Sequence, residues 1–410
     1  MYTPEPPEII TLPNKLRLVF EESPTARSAA INIYIGSGSR YETPETAGAS
    51  HFLEHMLFKG TMGRTALQIA QQMDEIGGQI NAYTAKEYTC MYGQALTEHT
   101  QRAFGIMLDM LLCSRLDSSE LETEKGVILE EIGMVNDTPE ELCADKLYET
   151  VWPDSMLGGN ILGTVKTVKS ITPAVLRRHM EAYYTPKHTV ISVCGRFDRV
   201  ALLEMAEKAF EGSQEGDSLP PDDFAAFKYD KSLVKKRTEQ TNLILAVEGF
   251  PINDDRRFSL AVISTALGGG SSSRLNQRIR EELGLAYSVY TFNASHMGAG
   301  VFGVSAGVAH HNRQRAMDEI LAIVTDTRKG LHQSEFLRAK AQIKSGLVMS
   351  YEQSASRAAF SGRGLLLENK ITSEDELLER LDRLTLEQVN ETANRLLNFE
   401  KYALSVVGKV

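Results

Sequence analysis

At 410 residues the chain is too long for one ordinary core and predicts at least two domains. Its 42% hydrophobic and 24% charged residues are those of a folded globular protein and exclude a disordered one. A net charge of −10 argues against a nucleic-acid partner, and no apolar run approaches the roughly 18 residues of a membrane span.

The acidity is uneven. Residues 1–211 carry 19 basic against 29 acidic side chains, whereas residues 212–410 carry 25 of each. An acidic chamber that attracts basic or extended peptides fits this distribution, and so does simple solubility. The first twenty residues lack a basic stretch followed by an apolar one, so the expected location is cytoplasmic. Cys90, Cys113, Cys143 and Cys194 form no CxxC pair and are expected to be reduced core residues.

In chain order, the apolar strand AAINIYIGSGS (29–39) comes first, followed by the helix containing HFLEHMLFKG (51–60). Thr46 or Ser50 is the expected cap, and Lys59 with Gly60 supplies a cation and a glycine to stop it. At about 100° per residue, His51 and His55 share a face with Glu54 beside them. Two imidazoles at i and i+4 can bind one Zn²⁺. The adjacent carboxylate can then take a proton from a water that the ion acidifies.

GGQINAYTAKEYTCMYG (77–93) alternates around Asn81-Ala82-Tyr83-Thr84 and reads as a strand. The long helix over 117–137 begins with a capping-box pattern, Asp117 to Glu120. One stripe of it mixes Glu124 and Glu131 with Val127 and Ile128. Buried carboxylates need a cation. A zinc ion would supply one, although periodicity leaves Glu131, Glu130 and Glu124 all open as its third ligand.

The stretch from Thr172 to Gly195 matches that from Thr385 to Gly408 without a gap, each a capped helix, a loop and a strand ending S-V-x-G. GSQEGDSLPPDDF (212–224) lies between the copies and reads as a linker. The expected organisation is an N-terminal domain at 1–213, a linker at 214–222 and a homologous C-terminal domain at 223–410. The second copy has ALGGGSSSRLNQRIREELGLAYSVYTF (266–292) and no H-x-x-E-H. Its glycines lack the G-K-[ST] of a phosphate loop, so nucleotide binding is not expected.

H-x-x-E-H is the inverted zinc-protease signature, and GASHFLEHMLFKGT resembles the active-site helix of the pitrilysin or insulinase family. The resemblance is strongest to the subfamily of the mitochondrial processing peptidase and its bacterial relatives, and it covers essentially the whole chain. It implies an α+β protein of two homologous domains, each a mainly antiparallel sheet with helices packed on it. It implies one Zn²⁺ per chain, with His51 and His55 as ligands and Glu54 as general base. The family's third ligand follows the second histidine by about 76 positions, which is Glu131, and its supporting glutamate seven residues earlier is Glu124. The strand Asn81-Ala82-Tyr83-Thr84 would bind substrate by strand addition, and Arg280 and Tyr287 match the family's arginine–tyrosine pair. The resemblance also implies a homodimer enclosing a chamber, with Gly268–Gly270 near the substrate path.

The activity expected from these residues is zinc-dependent endoproteolysis of short, unfolded or leader peptides. The alternatives are a non-catalytic scaffold or core-subunit relative of the same fold, and a peptide-binding protein with structural zinc.

Overall fold

The computed structural model describes residues 7–213, 216 and 225–409. Apart from Gly216, the linker expected over 214–222 lies outside the described residues.

The first elements are strands β1 (Glu8–Thr11), β2 (Arg17–Glu22) and β3 (Ser28–Ile35), then helices α1 (Ala49–Leu57) and α2 (Ala66–Glu75). Strands β4 (Gln79–Thr84) and β5 (Thr89–Leu96) precede α3 (Thr100–Leu112), α4 (Ser118–Asp137) and α5 (Pro139–Val151). Next come α6 (Val165–Ser170), α7 (Pro173–Tyr183), β6 (Thr189–Gly195) and α8 (Arg199–Ala209). Strands β7 (Lys231–Lys235) and β8 (Thr241–Glu248), helix α9 (Arg256–Gly268), and strands β9 (Ala286–His296) and β10 (Ala299–Val308) follow. The chain closes with α10 (Arg313–Arg328), α11 (Gln333–Tyr351), α12 (Ser354–Leu367), α13 (Glu374–Arg383), α14 (Leu386–Leu396) and β11 (Ala403–Gly408).

One sheet runs β1-β2-β6-β3-β5-β4, and the other runs β7-β11-β8-β10-β9. In the first, only β2 and β6 are parallel. In the second, only β7 and β11 are parallel. With β1 set aside, the strands correspond one for one, so the internal repeat legible at 172–195 and 385–408 extends to the order and direction of every strand. The repeated caps are also alike. Thr172 accepts a hydrogen bond from the Val175 N–H and Thr385 from that of Gln388. The chain is an α+β protein of two such sheets with helices packed on them.

Successive strand residues face opposite sides of a sheet, and here both sides are apolar. In the first unit Ile31, Ile33 and Ile35 of β3 pack with Phe52, Leu53, Phe104 and Leu176 from the main helical layer. Their neighbours point the other way, where Ala30 and Cys194 meet Ala358 of α12, and Tyr34 and Val190 meet Leu365 of the same helix. The second unit repeats this plan. Leu243, Leu245 and Val304 face α9, α10 and α14, while Ile244, Ala246 and Val407 face Leu142, Cys143 and Leu147 of α5.

The compact units are therefore not continuous in sequence. The first comprises residues 1–132, 160–221 and 350–373, and the second comprises 133–159, 222–349 and 374–410. Each second face needs a cover, and a helix lent by a distant segment supplies it. The α12 helix is also held by a buried ion pair, Arg357 Nε to Glu21 Oε1 on β2 at 2.9 Å. Of the four free cysteines, Cys90, Cys143 and Cys194 are buried as expected, and Cys113 is exposed.

Candidate metal centre

Helix α1 carries the paired histidines, and its buried face fixes where they point. Phe52, Leu53, Met56 and Leu57 are at most 1% exposed, each burial contributing about 1.5–3 kcal/mol. His51, Glu54 and His55 lie on the remaining, half-buried face.

The cap differs from expectation. Neither Thr46 nor Ser50 caps the helix; its N-cap is Gly48, at φ 93°, with no side-chain cap of its own. The Glu42 carboxylate serves instead, accepting the Gly48 N–H at 2.7 Å and the Ser50 N–H at 2.6 Å. The Thr46 hydroxyl instead accepts the Thr43 N–H. The reason is close approach, since a side chain at position 48 would meet the Leu162 carbonyl at 2.6 Å. A remote carboxylate can cap where an adjacent one has no room. Burial pushes Glu42 up to about 7 against the pull of those amides. Ser50 Oγ lies 3.4 Å from Nε2 of His179, which burial lowers to about 4 and so keeps neutral.

Helix α4 supplies the carboxylates. Glu124 and Glu131, seven residues apart, differ by only about 20° around the helix and both reach α1, whereas Glu130 is exposed. Glu131 Oε2 lies 3.7 Å from His51 Nε2 and 3.6 Å from His55 Nε2. The three ligand-type atoms fall within 4.8 Å of one another. Four ligands arranged tetrahedrally at zinc's usual bond lengths would lie about 3.4 Å apart. These separations are too long for hydrogen bonds and close to those around a shared ion.

Two observations support the fit of a metal. Glu131 Oε2 is buried without a hydrogen-bond partner among the described residues, an arrangement costly for an anion. His51 is lowered to about 4, first by burial and then by the neighbouring His55, and a neutral imidazole is the form that binds metal.

The second histidine is oriented from behind. His55 Nδ1 is 3.0 Å from Glu124 Oε2, and a carboxylate only accepts, so Nδ1 carries the hydrogen, which in the neutral imidazole leaves Nε2 as the nitrogen that can bind a metal. Glu124 is 2% exposed and its other oxygen lies 2.6 Å from Lys59 Nζ. From the sequence Lys59 is expected only to end the helix, and its place four residues after His55 is the one signal of this contact.

Glu54 faces β4. The Thr84 hydroxyl donates to Glu54 Oε2 at 2.6 Å, a contact between distant segments that no local pattern announces. Burial raises the Glu54 carboxyl above its ordinary value, while this hydrogen bond lowers it. Within the Asn81–Thr84 stretch, Asn81 and Tyr83 are exposed, Ala82 is buried and Thr84 is half-buried on the glutamate. The strand lies at the edge of its sheet, with β5 as its one neighbour.

In the second unit, Arg280 lies in a π-helical segment (Asn276–Glu282) and Tyr287 in β9. The fold brings these two together, with the Arg280 guanidinium carbon 5.5 Å from the Tyr287 ring centre. Tyr287 is 82% exposed, and both line a cleft of about 990 Å³ that also includes Arg237 and Asn312.

Known proteins resemble this chain in sequence and fold. The model of the insulinase family, peptidase family M16, matches residues 17–165, and that of the M16 inactive domain matches residues 170–343. An uncharacterized zinc protease of Bacillus subtilis is 39% identical over 97% of this chain and 97% of its own. Another from Streptomyces coelicolor is 37% identical over 97% and 88%. The chain belongs to peptidase family M16. Two crystal structures share its fold with a TM-score of 0.92: a peptidase M16 inactive domain from Pseudomonas fluorescens and a protease from Helicobacter pylori. The first is 19% identical and covers 99% of this chain and 98% of its own; the second is 20% identical and covers 99% and 100%. No helix among the described residues is long and apolar enough to cross a membrane.

Proposed function

We propose that this chain is a zinc-dependent endopeptidase acting on short, unfolded or leader peptides. The observation that carries the reading is the convergence of His51, His55 and Glu131 beside Glu54. His51 and His55 through Nε2, and Glu131 through Oε2, would hold one zinc ion per chain. Bound there, the ion supplies Lewis-acid chemistry, polarising a peptide carbonyl and acidifying a water.

The remaining work belongs to the chain itself. Glu54 takes the proton from the attacking water and passes it to the leaving amine. Glu124 holds His55 in its metal-binding tautomer. An extended peptide adds to the edge of β4, which fixes backbone register with little demand on sequence. Arg280 and Tyr287 are assigned as donors to the substrate carbonyl, and the expected assembly is a homodimer.

The test is zinc content measured together with cleavage of unfolded peptides, read by mass spectrometry of the products. Purified protein is expected to hold one zinc per chain and to cut these peptides. Chelation should abolish cutting and zinc should restore it; cutting that survives complete zinc removal would end the proposal.

Thr84 gives a finer expectation. Thr84→Val removes the hydroxyl that steadies the Glu54 carboxylate, so turnover should fall about tenfold, near the value of one hydrogen bond to a charged group. Zinc content should not change. An unaltered rate would mean that the Thr84 hydroxyl does not support catalysis.

A further inference from the structure

We infer that Lys59 is a positioning residue for the metal centre, acting on His55 through Glu124. The inference rests on the zinc reading above and adds a residue to it.

Glu124 is an almost fully buried carboxylate with each oxygen committed. Oε2 lies 3.0 Å from His55 Nδ1, and Oε1 lies 2.6 Å from Lys59 Nζ. An imidazole that binds metal through Nε2 needs its ring plane and tautomer held from Nδ1. A carboxylate holds it best when it cannot rotate. The histidine anchors one oxygen of Glu124 and the lysine anchors the other, so the carboxylate plane has two fixed points. An ion pair on a buried carboxylate adds directional constraint even where it adds little net stability.

The backbone places Lys59 for this task. The α1 helix ends at Leu57, and the Lys59 N–H still donates to the Met56 carbonyl. Gly60 then turns the chain at φ 110°, where a Cβ would stand 3.0 Å from the Arg64 carbonyl. The turn is tied to the segment leading into α4. The Arg115 N–H donates to the Gly60 carbonyl, the Met62 N–H to the Cys113 carbonyl and Ser114 Oγ to the Met56 carbonyl. The end of α1 and the start of α4 are thereby locked together, and Lys59 projects from one toward Glu124 on the other. The Lys59 side chain is 32% exposed while the Glu124 side chain is 3% exposed, so the lysine links a partly open surface to a buried acid.

The experiment compares Lys59→Met, which keeps the aliphatic stem, with Lys59→Arg, which keeps a cation. Zinc dissociation constants are measured by chelator competition in the wild-type and Glu124→Gln backgrounds. Lys59→Met is expected to weaken zinc about 10-fold, the lower end of the effect of losing a direct supporting partner of a metal ligand, because the lysine acts one contact further away. Lys59→Arg should recover most of this loss. In the Glu124→Gln background, Lys59→Met should add nothing, because the carboxylate it acts through is gone. An unchanged zinc affinity in Lys59→Met, or equal losses in both backgrounds, would overturn the inference.

A second readout needs no metal. The ring ¹⁵N shifts of His55 in the zinc-free protein should report Nδ1–H in the wild type and a mixture of tautomers in Lys59→Met; identical shifts would overturn the inference. If the wild type failed to bind zinc while its His55 tautomer still depended on Lys59, the endopeptidase reading would fall and the positioning role would stand.

Discussion

Glu54→Gln is expected to keep its zinc and to lose peptide hydrolysis by about 10²- to 10⁴-fold, the range a positioned general base supplies. Glutamine preserves the shape of the side chain and can still accept the Thr84 hydroxyl, which lies 2.6 Å from Glu54 Oε2. It cannot accept a proton. None of the three proposed ligand atoms is altered, so metal content separates loss of chemistry from loss of the site. The same variant distinguishes an enzyme from a non-catalytic relative. A scaffold that merely holds peptide would have no turnover to lose, and a structural zinc would leave any background cleavage unchanged. Equal cleavage by wild type and variant, with zinc bound in both, would remove Glu54 from the mechanism.

Arg357→Met is expected to destabilise the first unit by about 3–5 kcal/mol, the cost of leaving one partner of a buried pair behind. Glu21 and Arg357 are 7% and 8% exposed, and Glu21 Oε2 has no hydrogen-bond partner among the described residues. The guanidinium is therefore the principal compensation visible for that carboxylate. For a unit of roughly 200 residues the loss corresponds to a melting temperature lower by about 6–20 °C. Urea unfolding followed by circular dichroism would measure it. The double variant Glu21→Leu/Arg357→Met should regain most of the stability, because two apolar side chains leave no charge stranded. A single variant within 1 kcal/mol of wild type would show that the pair is dispensable and that apolar contacts alone seat α12.

Several parts of the architecture were legible from the chain itself. The gapless match of 172–195 to 385–408 pointed to two related sheets, because a helix, loop and strand recurring at one spacing must solve the same packing problem twice. The i, i+4 histidines with an intervening glutamate implied a metal, since apolar neighbours leave few other reasons to place two imidazoles on one helical face. The choice of Glu131 came from family spacing rather than from periodicity. Both it and Glu130 lie on the same helix, and only the orientation of α4 against α1 makes one half-buried in the cluster and the other exposed.

Other parts had no local signal. The cap of α1 is Glu42, although Thr46 and Ser50 are nearer the conventional position, because the crowded approach of Leu162 excludes a side chain at Gly48. Cover for the second face of each sheet comes from α12 and α5, which lie in the opposite halves of the chain. Strands such as β3 are apolar on both sides, and that pattern says only that both will be covered.

The amino-acid sequence thus determined the main secondary elements, the duplication and the paired histidines with Glu54 as candidate metal-site residues, because these follow from periodicity and from short spacings along one helix. Tertiary structure alone decided other contacts made across elements: Thr84 on Glu54, Lys59 on Glu124, and Arg357 on Glu21. Each joins residues whose nearness is set by how helices and strands pack. Hydrogen bonds, including those between charged groups, need donor and acceptor about 3 Å apart, so the spacing of residues along a chain does not encode them.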